Sequence, residues 1–365
     1  MKVIAQTSAL QDALALAGSI VVARSPKPVL QCIKLVADAD TLTVMATDQE
    51  VGCRYLLTSV KVVEPGEALI PADRLAGIVR EAGSDESLTI ETDGETVLVT
   101  GAGSEFKLYG YDPAEYPTVG EFTDTADFEI PGAVLGDMIA KTVFATAKAH
   151  SHYAISGVLW EAEGTNLQLV ATDGHRLAQS RGSLSAPASE PKSAIVPAKL
   201  MSMLQRSNRG DDRLEIKIAG SQIFVRTMRM TLVSSLVQGN FPKYEDVIPK
   251  GAAATATIPS AEFQHRVRQA ALLTNEESRG VQLSFAPGVV KISGRGPETG
   301  EAKAECAIQY DGDEVQIGFN PIFLIDAMKV IDTDEIALDL TAANKPALIR
   351  SGNDFLYVIM PVDIA

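Results

Sequence analysis

The sequence predicts an α+β fold made of three copies of one unit of roughly 120 residues, each with two helices packed on antiparallel sheets. Three observations carry that expectation. First, Leu42-Thr43-Val44-Met45-Ala46-Thr47-Asp48-Gln49-Glu50 returns 125 residues later as Leu167-Gln168-Leu169-Val170-Ala171-Thr172-Asp173-Gly174-His175. Both alternate apolar and polar residues as a half-buried strand does. A weaker third copy is Val290-Lys291-Ile292-Ser293-Gly294. Second, Ile70-Pro71-Ala72, Val196-Pro197-Ala198 and Asn320-Pro321-Ile322 each follow a short apolar run and precede a helical pattern. Their prolines are 126 and 124 residues apart. Proline at the first helical position loses no hydrogen bond, so each is expected to open a helix. Third, Tyr111-Asp112-Pro113-Ala114-Glu115-Tyr116-Pro117 and Asn240-Phe241-Pro242-Lys243-Tyr244 are matching turns that close the first two copies.

Each copy then reads in one order. An amphipathic helix comes first, at about 8–20, 131–148 and 260–273. A strand pair follows, then the strand before the proline, then a second helix at about 71–82, 197–207 and 321–331. A further antiparallel set turns at Asp93-Gly94 and Ala219-Gly220. About eight strands per copy are expected. Stretches near 123–125 and 250–254 read as linkers, giving expected domains at 1–122, 127–250 and 253–365.

The 365 residues are 46% hydrophobic, enough to fill cores and too many for a disordered chain. No apolar run approaches the ~20 residues that span a bilayer, and the N-terminus lacks the apolar core of a signal peptide. Cys32, Cys53 and Cys306 are too widely and irregularly spaced for a disulfide framework or a metal knuckle, and read as buried apolar residues of a cytoplasmic protein. The net charge of −15 repels nucleic acid on average, so any nucleic-acid role needs a local basic surface. The six helical windows supply one. They hold nine Lys and Arg against six Asp and Glu, and Lys141/Lys148 and Lys199/Arg206 are each seven residues apart, the spacing of one helical face. Such a surface suits contact with phosphates without regard to sequence.

Catalytic motifs are missing. There is no Walker loop, no dinucleotide-binding glycine pattern and no nucleophile elbow. A metal site would have to gather His150, His152, Asp173 and His175, but nothing supplies a supporting pattern, so no metal or cofactor is expected. The run Ala171-Thr172-Asp173-Gly174-His175-Arg176-Leu177-Ala178 stands out. Asp-Gly signals a turn, and the reading with functional content is a turn that presents Arg176 and Leu177 at a groove.

These residues carry a resemblance. Tyr153-Ala154-Ile155-Ser156-Gly157-Val158-Leu159-Trp160-Glu161, the run at 171–178, Asn240-Phe241-Pro242-Lys243-Tyr244 with Val247 and Pro249, and Tyr357-Val358-Ile359-Met360-Pro361-Val362 together resemble the bacterial DNA polymerase III β subunit, the sliding-clamp family. The resemblance covers the whole chain. It implies that each copy is a clamp domain and that two chains join head to tail in a six-domain ring. The ring would encircle double-stranded DNA without sequence preference, and the chain would act as a non-catalytic processivity factor. The implied protein partners are the polymerase III alpha subunit, the clamp-loader delta subunit and other proteins bearing a clamp-binding motif.

The family's peptide groove maps to Ile155, Thr172, Gly174, His175, Arg176, Leu177, Pro242, Val247, Pro346, Val358, Met360, Pro361 and Val362. Apolar walls there would take the Leu or Phe anchors of a short peptide, and polar groups near Thr172 and Arg176 would fix its backbone. Asp246 stands where members often have a basic residue, and the ending Val362-Asp363-Ile364-Ala365 replaces an Arg-Leu ending found in some; both make the rim more acidic. For DNA, the resemblance points to Arg24 and to Tyr153 in the loop after Lys148. The helical windows add Arg80, Lys141, Lys148, Lys199, Arg206, Arg266 and Arg268. For ring closure, Phe106 and Leu108 would meet Leu272 and Leu273 of a second copy, a heterologous contact that closes when made twice.

Overall fold

The computed structural model describes residues 1–22, 24–148, 154–274 and 280–364. Each sequence copy contributes two helices: α1 Thr7–Gly18 and α2 Ala72–Glu81, α3 Gly132–Thr142 and α4 Ala198–Ser207, α5 Ser260–Ala271 and α6 Pro321–Val330. Five of the six expected windows agree to within two residues. The window at 131–148 overshoots. Thr142 leaves helical geometry at φ −125°, and its hydroxyl donates to the Met138 carbonyl at 2.8 Å, the kind of local bond that ends a helix. Three residues of 3₁₀ helix, Val143–Ala145, follow. Lys148 therefore does not share a helical face with Lys141.

The proline markers are also refined. Pro321 is the first residue of α6, capped by the Asn320 side chain, which accepts from the Ile322 amide at 2.9 Å. Pro71 and Pro197 instead end the strands Gly66–Pro71 and Lys192–Pro197, one residue before α2 and α4. Both strands are the outermost in their sheets, where a missing N–H costs no ladder bond.

By its contacts the chain forms two compact units, 1–133 with 203–236 and 134–202 with 237–365. In the first, a five-stranded sheet runs Val60–Glu64, Lys2–Gln6, Ser87–Asp93, Thr96–Thr100, Glu105–Tyr109. An eight-stranded sheet runs Phe128–Pro131, Arg213–Ala219, Gln222–Arg226, Met230–Ser235, Val51–Leu57, Thr41–Thr47, Cys32–Asp38, Gly66–Pro71. Four of those strands come from the first sequence copy and four from the second, joined through the pairs Met230 with Tyr55 and Leu232 with Cys53. α1 buries Leu10, Ala13, Leu14 and Ala17, and packs on Thr41–Thr47 and Val51–Leu57.

The second unit repeats the plan. Its eight-stranded sheet runs Lys192–Pro197, Gly157–Glu163, Asn166–Thr172, Arg176–Ser183, Phe355–Ile359, Ala347–Ser351, Glu335–Leu340, Ala254–Pro259. Here the second copy joins the third, through Leu177 with Val358 and Ser180 with Phe355. A four-stranded sheet runs Gly300–Ala307, Val289–Gly296, Val281–Ala286, Val315–Phe319. α5 packs on it closely. A Cβ at Gly294 would lie 2.1 Å from the Ala270 carbonyl, so only glycine lets helix and strand approach there. All pairings between named strands are antiparallel, as expected for the α+β class.

Cys32, Cys53 and Cys306 are buried free thiols. Burial pushes their pKa values up, to about 11, about 12 and about 11 respectively, so they behave as small apolar residues. Among the described residues, no helix is long and apolar enough to cross a membrane.

Candidate functional site

The site grows out of a turn that the sequence writes twice. In the first copy, the Asp48 carboxylate accepts from the amides of Glu50 (2.9 Å) and Val51 (2.7 Å), while the Thr47 hydroxyl donates to the Val51 carbonyl. In the second copy, Asp173 accepts from the amides of His175 and Arg176, both at 3.0 Å, and the Thr172 hydroxyl donates to the Arg176 carbonyl. The third turn residue needs positive φ in both. Gln49 bears it at 78°, a strained value for a side-chain-bearing residue, whereas Gly174 takes 90° freely.

The two turns differ at the residue that leaves them. Val51 is buried apolar, while its counterpart Arg176 is a buried cation with a side chain only 7% exposed. Its guanidinium donates to Asp173 at 3.1 Å, to Asp326 of α6 at 3.0 Å and to the Phe144 carbonyl at 2.8 Å. It also lies over the rings of Phe144 and Phe323, 5.3 and 4.4 Å from their centroids. Arg176 thus ties the turn to α6 and to the segment after α3. Three of its five N–H donors, and the Thr172 hydroxyl proton, are engaged inside the protein. These bonds hold the turn in place.

Beside this turn lies a groove of about 190 Å³, lined by Ile155, Thr172, Gly174, His175, Arg176, Leu177, Pro242, Lys243, Tyr244, Val247, Val358 and Met360. Strand pairing places Leu177 across from Val358, and the Met360 amide donates to the His175 carbonyl at 2.9 Å, which fastens the end of the chain along one wall. The floor is a buried cluster of Ala154, Leu159, Val170, Leu177, Ile195, Tyr244, Leu348 and Val358. Val247 and Met360 remain 49% and 39% exposed, leaving apolar surface for a ligand to cover.

Ten of the thirteen residues expected for the groove line it. Pro346, Pro361 and Val362 do not. The Val362 amide instead donates to the Gly318 carbonyl at 2.9 Å, which binds the tail to the strand Val315–Phe319. Lys243 and Tyr244 line the groove, and sequence reasoning missed that role although it quoted both in the closing turn. The Tyr244 hydroxyl donates to Glu161 at 2.8 Å and accepts from Gln168 at 2.7 Å. Burial, then the Glu161 carboxylate, holds its pKa well above the ordinary phenol range.

Of the residues expected to meet DNA, Arg24, Arg80, Lys148, Lys199, Arg206 and Arg268 are exposed, and Arg266 is partly so, paired with Glu262 at 3.2 Å. Lys141 is a correction. It is 4% exposed, and its ammonium is bonded to Asp137 at 2.7 Å and Asp354 at 3.1 Å. Burial works against its charge, but those two carboxylates outweigh it and raise its pKa, so it is unavailable to a phosphate. Tyr153, like His150 and His152, lies outside the described residues. Asp173 is fully engaged by its own turn, and no cluster of three metal-ligating side chains occurs among the described residues.

Phe106 and Leu108 are half-buried on Glu105–Tyr109, the outermost strand of its sheet. Leu272 is 78% exposed at the end of α5, and Leu273 lies 3.9 Å from a Cβ built at Gly300, where the outermost strand Gly300–Ala307 begins.

Three family models of the DNA polymerase III beta subunit match the chain: the N-terminal domain over residues 1–120, the central domain over 129–243 and the C-terminal domain over 245–363. The chain is 32% identical over 360 residues to the beta sliding clamp of Pseudomonas aeruginosa, covering 98% of each, and 33% identical over 362 residues to that of Pseudomonas putida, again covering 98% of each. Among solved structures it matches the DNA polymerase sliding clamp of Pseudomonas aeruginosa bound to griselimycin (TM-score 0.95, 32% identity) and that of Bacillus subtilis (TM-score 0.95, 27% identity), covering all of both chains in each case. The chain therefore belongs to the DNA polymerase III beta subunit family, the sliding clamps.

Proposed function

We propose that this chain acts as the processivity clamp of a replicative DNA polymerase: two copies join head to tail in a ring around duplex DNA and present the groove to partner proteins. The observation that carries this reading is the groove itself. It is an apolar trough with two exposed hydrophobic side chains, walled by a rigid turn and the last strand, and suited to a short peptide with Leu or Phe anchors. The family is non-catalytic, and this chain supplies binding and not chemistry.

The finer assignments belong to the same proposal. The domains are 1–122, 127–250 and 253–365. The groove residues are the ten lining ones carried over by resemblance together with Lys243 and Tyr244. The polymerase alpha subunit, the clamp-loader delta subunit and other motif-bearing proteins compete for them in the cytoplasm. Arg24, Arg80, Lys148, Lys199, Arg206, Arg266 and Arg268 supply loose phosphate contacts, since a ring that holds DNA by topology slides best when no single contact is strong. Ring closure uses the outermost strands Glu105–Tyr109 and Gly300–Ala307, whose unpaired backbone groups need a cover. Phe106 and Leu108 pack there against Leu272 and Leu273 of the other copy.

Native mass spectrometry tests the assembly. Two chains are expected, and Leu273→Asp, which places a charge in an apolar contact, is expected to give monomers. A dimer of that variant persisting at micromolar concentration would overturn the interface.

A further inference from the structure

We propose that Lys243 makes the groove selective for peptides carrying an acidic side chain next to their apolar anchors; this rests on the peptide-binding reading of the groove. Two lining side chains are permanently charged, Arg176 and Lys243. Arg176 is already neutralised by Asp173 and Asp326 at 3.1 and 3.0 Å. Lys243 is exposed and has no hydrogen-bond or ion-pair partner among the described residues. It precedes the short 3₁₀ helix Tyr244–Asp246 and leaves one uncompensated positive charge on an apolar wall beside Pro242 and Tyr244.

The neighbouring acids do not cancel it. Glu245 bears on the Tyr244 hydroxyl, where it helps raise that group's pKa, and that hydroxyl is bonded to Glu161 and Gln168. Asp246 is exposed and is not part of the lining. Among the described residues no ion pair joins either carboxylate to Lys243. The rim expected to be more acidic thus also carries a cation, which lines the groove while Asp246 lies outside the lining. A peptide carboxylate beside the anchors meets the cation in surroundings made drier by Ile155, Leu177, Val247 and Met360, where opposite charges attract more strongly than in bulk water.

The test uses the full chain and synthetic nine-residue peptides sharing a Leu-Phe anchor. Asp, Asn or Lys is placed in turn at each flanking position, and affinity is measured by fluorescence anisotropy at low salt. At one position the Asp peptide is expected to bind about two- to fivefold tighter than the Asn peptide, and the Lys peptide weaker by a similar factor. Half-molar salt should collapse the spread. Lys243→Glu should invert the order, with each protein's Asn peptide as reference. Equal binding of all peptides, or a preference for Lys, would overturn the proposal, while a uniform loss in Leu177→Ala would show that the groove reading still stands. If no peptide binds, or Leu177→Ala changes nothing, the groove reading falls and this proposal falls with it.

Discussion

Replacing Arg176 by Val should destabilise the second unit before it touches any ligand. The first copy makes the same turn with Val51 in that place, so the backbone bonds of the turn need no guanidinium. What the variant loses is the link to Asp326, Asp173 and the Phe144 carbonyl. Breaking a fully buried pair by removing one partner costs about 3–5 kcal/mol. The two carboxylates left behind have side chains 17% and 21% exposed, so water relieves part of that cost, leaving about 2–4 kcal/mol. For a unit of this size about 3 kcal/mol lowers the midpoint of thermal unfolding by roughly 6–12 °C. The assay is intrinsic fluorescence. Trp160 is the only tryptophan, is fully buried, and lies in the sheet that contains Arg176. Asp326 keeps its pair with Lys329 at 3.0 Å, so adding Asp326→Leu should recover less than about 1 kcal/mol. If Arg176→Val shifts the transition by less than about 0.5 kcal/mol yet weakens peptide binding tenfold or more, the guanidinium serves the ligand and not the fold, and the reasoning is wrong.

Other outcomes follow from the same geometry. Leu177→Ala and Met360→Ala together should weaken peptide binding by about tenfold or more, while native mass spectrometry still reports two chains; unchanged affinity would remove the groove assignment. The cysteines set an alkaline limit. Their folded pKa values of about 11 to 12 lie above the ordinary thiol value, so stability is intact below about pH 8.5. It falls as pH rises from there toward 11–12, because the unfolded chain ionises first. At pH 8 the native protein should react with a thiol reagent over hours and the urea-unfolded chain within minutes; equally fast reaction would contradict the burial.

Local chemistry was legible in the sequence and long-range pairing was not. The Asp173-Gly174 turn and the Asn320 cap of α6 follow from side chains acting on their own backbone, and the period near 125 residues shows in the repeated motifs themselves. The fusion of half-copies into eight-stranded sheets depends on pairs such as Met230 with Tyr55, which no local pattern encodes. Arg176 stands out in the sequence, but its partner Asp326 is 150 residues away and no local pattern names it. Lys141 differs for a related reason: the seven-residue spacing to Lys148 assumes a continuous helix, and one of the two carboxylates that engage it, Asp354, is 213 residues away. Lys243 stood in a quoted motif, but only the wall formed by Pro242 and Tyr244 shows that it lines the groove.

The clamp reading requires that the chain hold DNA by encircling it. Loading it onto a nicked circular plasmid and then linearising half the sample tests this directly. Retention of the protein on the circle, with loss from the free ends of the linear molecule, is the expected result. Equal retention on both would mean that the chain binds DNA by contact alone and contradicts the clamp reading.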